Sequence, residues 1–150
     1  MSKYTPTPVP IPTSTRAPVL LVDDDADLRD TVGLLLTEAG YEVAEADTIF
    51  DALRWLRGAP TGQVVLLDFV LTWHLNADLL LRAIERETTL ARHRYVLMTG
   101  SDITRFSTET QRLISHGCTA VISKPFGMSQ VFAAIAQAVA LLLETDESAG

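Results

Sequence analysis

The sequence predicts a doubly wound α/β fold, with five parallel strands in the order 2-1-3-4-5 and helices on both faces. Short apolar runs recur along the chain at Val19–Val22, Val64–Leu67, Tyr95–Met98 and Ala120–Ser123, separated by stretches of helical periodicity. Continuous apolar runs of this length read as strands buried on both faces, which is the habit of parallel sheets. Each run also ends in a group that carries chemistry. Asp23, Asp24 and Asp25 follow the first, Asp68 the second, Thr99 the third and Lys124-Pro125 the fourth. Parallel strands point their C-terminal ends at one edge, where open α/β sheets place ligand sites.

The elements follow in order. Residues 1–17 carry Pro6, Pro8, Pro10 and Pro12 among Thr and Ser, an alternation that favours extended polyproline II, so a disordered lead-in is expected. After the first strand, Leu28, Val32, Leu35, Leu36 and Ala39 recur at helical spacing, and Gly40 supplies the stop. Tyr41 to Ala46 reads as the second strand and 48–57 as the second helix, closed by Gly58 and Pro60. A third helix is expected over 77–87 on Leu80, Leu81 and Ile84, a fourth within 103–116, and a last one over 128–144. The folded unit is therefore 18–144, with 145–150 as a polar, flexible tail. Alternating strands and helices connect by right-handed crossovers, which gives one domain.

Composition narrows the partners. The chain has 150 residues, 47% hydrophobic, enough for one real core. Its 12 Lys+Arg against 19 Asp+Glu leave a net charge of −7, and no basic stripe offers a nucleic-acid surface. The N-terminus lacks a secretory signal, and the apolar stretch from Val131 to Leu143 is too short to span a bilayer. The lone Cys118 fits a reducing compartment and reads as a small buried residue, so a cytoplasmic protein is expected. His74, His93 and His116 do not read as a metal cluster.

Each end-of-strand group has a plain reading alone: Asp23 to Asp25 can cap a helix, Asp68 likewise, and Lys124 can be solvated. Their joint placement is what counts. In a 2-1-3-4-5 sheet the first and third strands are neighbours, so Asp23, Asp24 and Asp68 share one pocket. Carboxylates about 4 Å apart repel by roughly 4 kcal/mol per pair at an effective dielectric of 20. A hard divalent cation relieves that, and oxygen-only ligands suit Mg²⁺ over zinc. Asp68 could then attack phosphorus as a nucleophile, with Lys124 and the Thr99 hydroxyl binding phosphoryl oxygens.

The stretches "VLLVDDD", "VVLLD", "VLMTG" and "SKPF", in this order, resemble the receiver domain of two-component response regulators, over about Ala17 to Leu143. The resemblance implies a flavodoxin-like receiver fold of the stand-alone type. It implies Asp68 as phosphoacceptor, Asp23 and Asp24 as the acidic pair, Thr99 as the switch hydroxyl and Lys124 as the phosphate-sensing lysine. The metal ligands would be Asp23, Asp24, Asp68 and the backbone carbonyl of Val70, with Mg²⁺ as the cofactor. Asp25 would lie outside the pair, facing solvent. The implied donor is a sensor histidine kinase or a histidine phosphotransfer protein. The module would act on no separate substrate, catalysing only its own aspartyl phosphorylation and dephosphorylation.

The chain also departs from that family. Val121 stands where an aromatic is usual, three residues before the lysine. The loop after the acceptor reads Leu71 to Ala77 instead of Met-Pro with a nearby Gly, and Asn76 is expected to take the left-handed conformation. Trp73 in this loop reads as either a packed residue or a partner contact. On the last helix Phe132, Ile135, Val139 and Leu142 form the expected core stripe, with Ala133, Ala134, Ala140 and Leu141 off it. The face built from the fourth helix, fifth strand and last helix is therefore a candidate for homodimerisation or an output partner. Two other readings stay open at this stage. One is a phosphorylation-independent interaction module. The other is a phosphatase of the haloacid-dehalogenase type, using the Asp23 and Asp25 spacing.

Overall fold

A computed structural model describes residues 17–72, 75–76 and 78–149. The chain runs β1 (Val19–Val22), α1 (Ala26–Glu38), β2 (Val43–Ala46), α2 (Ile49–Gly58), β3 (Val64–Asp68), β4 (Val70–Thr72) and β5 (Leu75–Asn76). It continues with α3 (Asp78–Arg86), α4 (Thr88–Ala91), β6 (Arg94–Thr99), α5 (Thr108–Gly117), β7 (Cys118–Ser123) and α6 (Met128–Ala149). The main sheet is ordered β2-β1-β3-β6-β7 and is parallel throughout. With β4 and β5 set aside as their own antiparallel pair, this is the expected 2-1-3-4-5 order of a doubly wound, flavodoxin-like sheet.

Alternation along the strands divides the core in two. Leu20, Val22, Val65, Leu67, Tyr95 and Leu97 face α2, α3 and α5, where Leu53, Leu56, Leu80, Leu81 and Leu113 meet them. Val19, Leu21, Val64, Leu66, Val96 and Met98 face the other way, onto Val32 and Leu36 of α1 and Val131, Ile135 and Leu142 of α6. Strands buried on both faces have no polar side to show, which is why they read as unbroken apolar runs. Fully burying one such side chain contributes about 1.5–3 kcal/mol.

Local signals end and start the helices. Gly40, at φ 103°, donates its N–H to the Thr37 carbonyl and closes α1. Thr48 caps α2 through Asp51 N–H, and Ser107 caps α5 through Thr110 N–H.

The structure corrects several expectations. The second strand begins at Val43, not Tyr41. The fourth-helix region opens as a 3₁₀ turn, Ile103–Arg105, before α5 starts at Thr108, and α5 includes Gly117 instead of stopping before it. Asn76 is not left-handed: it lies in β5 opposite Val70, and no described non-glycine residue has positive φ. Strand pairing, not a turn, satisfies that backbone. Helix α6 continues past 144 to Ala149. Its buried stripe is Val131, Ala134, Ile135, Ala138 and Leu142, whereas Phe132 and Val139 are only half-buried. The alanines misled the reading, because Ala134 and Ala138 are buried in the cluster that α6 shares with the strands. The lead-in 1–16, with Trp73, His74, Ala77 and Gly150, lies outside the described residues.

Candidate functional site

The site is assembled at the C-terminal rim of the sheet. Asp23 leaves β1 and donates its N–H to the Ala46 carbonyl at the end of β2 (3.1 Å). Asp68 closes β3 and pairs with Met98 of β6, so Thr99 stands one residue beyond it on the adjacent strand. Lys124 follows β7 and donates its N–H to the Thr99 carbonyl (2.7 Å), which ties the ends of β6 and β7 together.

Asp23, Asp24 and Asp68 each present a carboxylate oxygen, all within 4.8 Å of one another. At that limit each pair of charges repels by roughly 3–4 kcal/mol at an effective dielectric of 20. Asp23 is fully buried and Asp68 is 5% exposed, while Asp24 is open to solvent. Lys124 Nζ lies 3.3 Å from Asp68 Oδ1 and supplies a cation at one edge of the cluster.

Asp23 is held firmly. Its Oδ1 accepts the Asp25 N–H (2.9 Å), and its carbonyl accepts Arg29 Nη1 (2.7 Å). Its Oδ2 is buried with no hydrogen-bond partner. Burial pushes the Asp23 carboxyl above its ordinary value. The Asp25 amide, the Lys124 charge and a hydrogen bond with Asp68 only partly offset this, and the Asp24 charge adds to it. An orphaned carboxylate oxygen inside an all-oxygen cluster fits a hard divalent cation, whereas soft metals would want sulfur or imidazole donors. Asp23, Asp24 and Asp68 are the residues that would hold it.

Thr99 is 1% exposed, and its hydroxyl is engaged locally, accepting Ser101 N–H (3.0 Å) and donating to Ser101 O (3.3 Å). Val70 opens β4 two residues after Asp68. Asp25 is the α1 cap: its exposed carboxylate accepts Asp27 and Leu28 N–H groups. Among the described residues the carboxylates that converge are Asp23, Asp24 and Asp68, so the geometry does not favour the Asp23 and Asp25 pairing of the phosphatase reading.

A family model described as response regulator receiver domain matches residues 19–136. The chain belongs to the response regulator receiver domain family. Solved receiver structures share the fold. One is the signal receiver domain assigned to a Luxo repressor protein from Vibrio parahaemolyticus. It is 19% identical, with a TM-score of 0.75 over 90% of this chain and 98% of that chain. A CheY-like receiver domain protein from Methanospirillum hungatei JF-1 is 23% identical, with a TM-score of 0.72 over 87% and 98%. NtrX from Brucella abortus is 27% identical over 89% of this chain but 29% of its own length, with a TM-score of 0.73. No curated protein matches the chain.

Other contacts of this structure went unread in the sequence. Arg29 bridges the Asp23 carbonyl to Glu45 of β2 (Nε to Oε1, 2.9 Å). A signal was present: an arginine in the first helical turn opposes the macrodipole and so points to a specific partner. Phe69, next to Asp68, stacks on Phe106 with ring centroids 4.5 Å apart and planes 16° from parallel. Nothing in the linear spacing of the two rings reveals that contact. His93 is structural, accepting Gln63 N–H at Nδ1 (2.9 Å) and reaching Leu56 O from Nε2 (3.0 Å). Cys118 is half-buried, and burial pushes its thiol up to about 12, far from a thiolate nucleophile. Among the described residues no helix is long and apolar enough to cross a membrane.

Proposed function

We propose that the protein is a phosphoacceptor module that takes a phosphoryl group onto Asp68 from a histidine kinase or a histidine phosphotransfer protein. The observation that carries this reading is the near-buried Asp68 carboxylate, with Lys124 Nζ at 3.3 Å on one side and the Asp23–Asp24 pair within 4.8 Å. An Asp68 oxygen attacks phosphorus and forms a P–O bond as the donor's P–N bond breaks. The electron pair leaves with the imidazole nitrogen, and a ring protonated at its other nitrogen departs neutral. Lys124 neutralises phosphoryl oxygens as a point charge, and the Thr99 hydroxyl turns from Ser101 to donate to one of them. Asp23 and Asp24, with the Val70 carbonyl, would hold Mg²⁺, which when bound supplies positive charge against the carboxylates and the incoming phosphoryl group. The protein turns over no separate substrate, acting only on its own aspartyl phosphate.

In this reading the outgoing contact would use the face of α5, β7 and α6. There a groove of ≈ 420 Å³ runs along the edge strand β7, lined by Ala120, Ser123, Gln130, Ala133 and Gln137. A second copy or an output partner would use this face. The test of the central reading is incubation with Mg²⁺ and acetyl phosphate, followed by intact-mass measurement. One acid-stable, base-labile phosphoryl adduct is expected, and it should vanish in Asp68→Asn. An unmodified parent protein would refute the phosphoacceptor reading in favour of a phosphorylation-independent module.

A further inference from the structure

The loop from Gly100 to Ser107 is fastened at both ends to the phosphoacceptor strand and its neighbour. At its start, the Thr99 hydroxyl holds Ser101 through two hydrogen bonds. At its end, the Phe106 ring lies flat on Phe69, the residue that follows Asp68. Phe69 is itself pinned, because its N–H bonds the Met98 carbonyl (2.9 Å) and the residue is only 8% exposed. Ile103, Phe106 and Val121 are half-buried against the same core cluster.

Phe106 is also tied forward into α5. Its carbonyl accepts Gln111 Nε2 (2.9 Å), and the next residue, Ser107, caps the helix through Thr110 N–H (3.1 Å). The Thr110 hydroxyl in turn reaches Asp78 Oδ2 at the start of α3 (3.4 Å). A displacement of the Phe106 ring therefore carries the first turn of α5 with it. Stacked aromatic pairs of this geometry contribute about 0.5–1.5 kcal/mol beyond their burial. That is weak enough to be exchanged and directional enough to fix the loop.

We infer that the Phe69–Phe106 stack is the contact through which the state of Asp68 reaches α5. This rests on the phosphoacceptor reading above and names the regulation of that same site. When the Thr99 hydroxyl turns its proton to the phosphoryl group, the bond it donates to Ser101 O is released and the start of the loop is loosened. The loop re-seats, Phe106 shifts on Phe69, and the capped first turn of α5 follows. Phe106 is a positioning residue and touches neither the phosphoryl group nor the metal ligands.

The experiment compares the parent protein, Phe106→Leu and Phe106→Ala, with and without Mg²⁺ and acetyl phosphate. Adduct yield is read by mass, and amide hydrogen exchange is followed over 108–117. In the parent, phosphorylation is expected to change exchange in the first turn of α5 by at least about fivefold. In Phe106→Leu, which keeps an apolar side chain and the fold but not the stack, the adduct forms at parental yield and the exchange change falls at least about twofold. In Phe106→Ala it is lost. Phosphorylated Phe106→Leu with the full parental response would overturn the inference alone. A parent protein that takes no adduct would overturn the phosphoacceptor reading and this inference together, so the two failures are distinct.

Discussion

A buried carboxylate oxygen with no partner costs about 1–3 kcal/mol, and Asp23 Oδ2 is such an atom. Burial raises the Asp23 pKa, so its stabilising contribution is fully present below the ordinary carboxylate value of 3.8 and is lost as pH rises through the folded value. At neutral pH the metal-free fold therefore carries strain that charge removal relieves. Asp23→Asn is expected to stabilise the metal-free protein at pH 7 by about 1–3 kcal/mol in urea unfolding and to abolish further stabilisation by Mg²⁺. A destabilised variant that still responds to Mg²⁺ would contradict this assignment. His93 has the opposite sign. Burial lowers its pKa below the ordinary 6.5, so its contribution is present above 6.5 and is lost as pH falls through the folded value. The protein should lose up to about 1.4 kcal/mol per pH unit in that window, and His93→Gln should flatten the loss. Unfolding midpoints measured from pH 7 to about pH 5 check it.

Among the elements, the central strands were the most legible, because burial on both faces writes itself as an unbroken apolar run. β1 and β3 begin and end within a residue of expectation. β2 was read too early because the Tyr41 N–H is held by the Leu36 carbonyl at the end of α1, so pairing with β1 begins at Val43. The β4–β5 pair was illegible, since its residues alternate no clear signal and only a cross-strand partner makes them strands. On α6, hydrophobicity pointed to Phe132 and Val139, whereas the residues buried against the sheet include Ala134 and Ala138. That rotation is testable. Ala134→Leu should overpack the sheet contact and cost about 1–3 kcal/mol. Ala133→Leu, on the exposed side, should stay within about 0.5 kcal/mol in the same denaturant titration. Thr48→Ala should cost about 0.5–2 kcal/mol by uncapping α2.

At the scale of the whole molecule, the site was readable because it is a consequence of topology. Residues 23, 68, 99 and 124 lie far apart in the chain, yet each ends or directly follows a strand, and a parallel sheet leaves those ends no other place to meet. The loop fastening through Phe69 and Phe106 was not readable, because side-chain stacking between a strand end and a distant 3₁₀ turn leaves no periodic trace. Nor was the clamp of Arg29 on Asp23 and Glu45, which depends on the register of β1 with β2. If the acidic cluster acts with Asp68 as acceptor, peptide mapping of the phosphoryl group shows it most directly. After acetyl phosphate treatment the label should sit wholly on the peptide containing Asp68, and only when Mg²⁺ is present. Label on a serine, threonine or histidine peptide, or label on Asp68 indifferent to Mg²⁺, would contradict it.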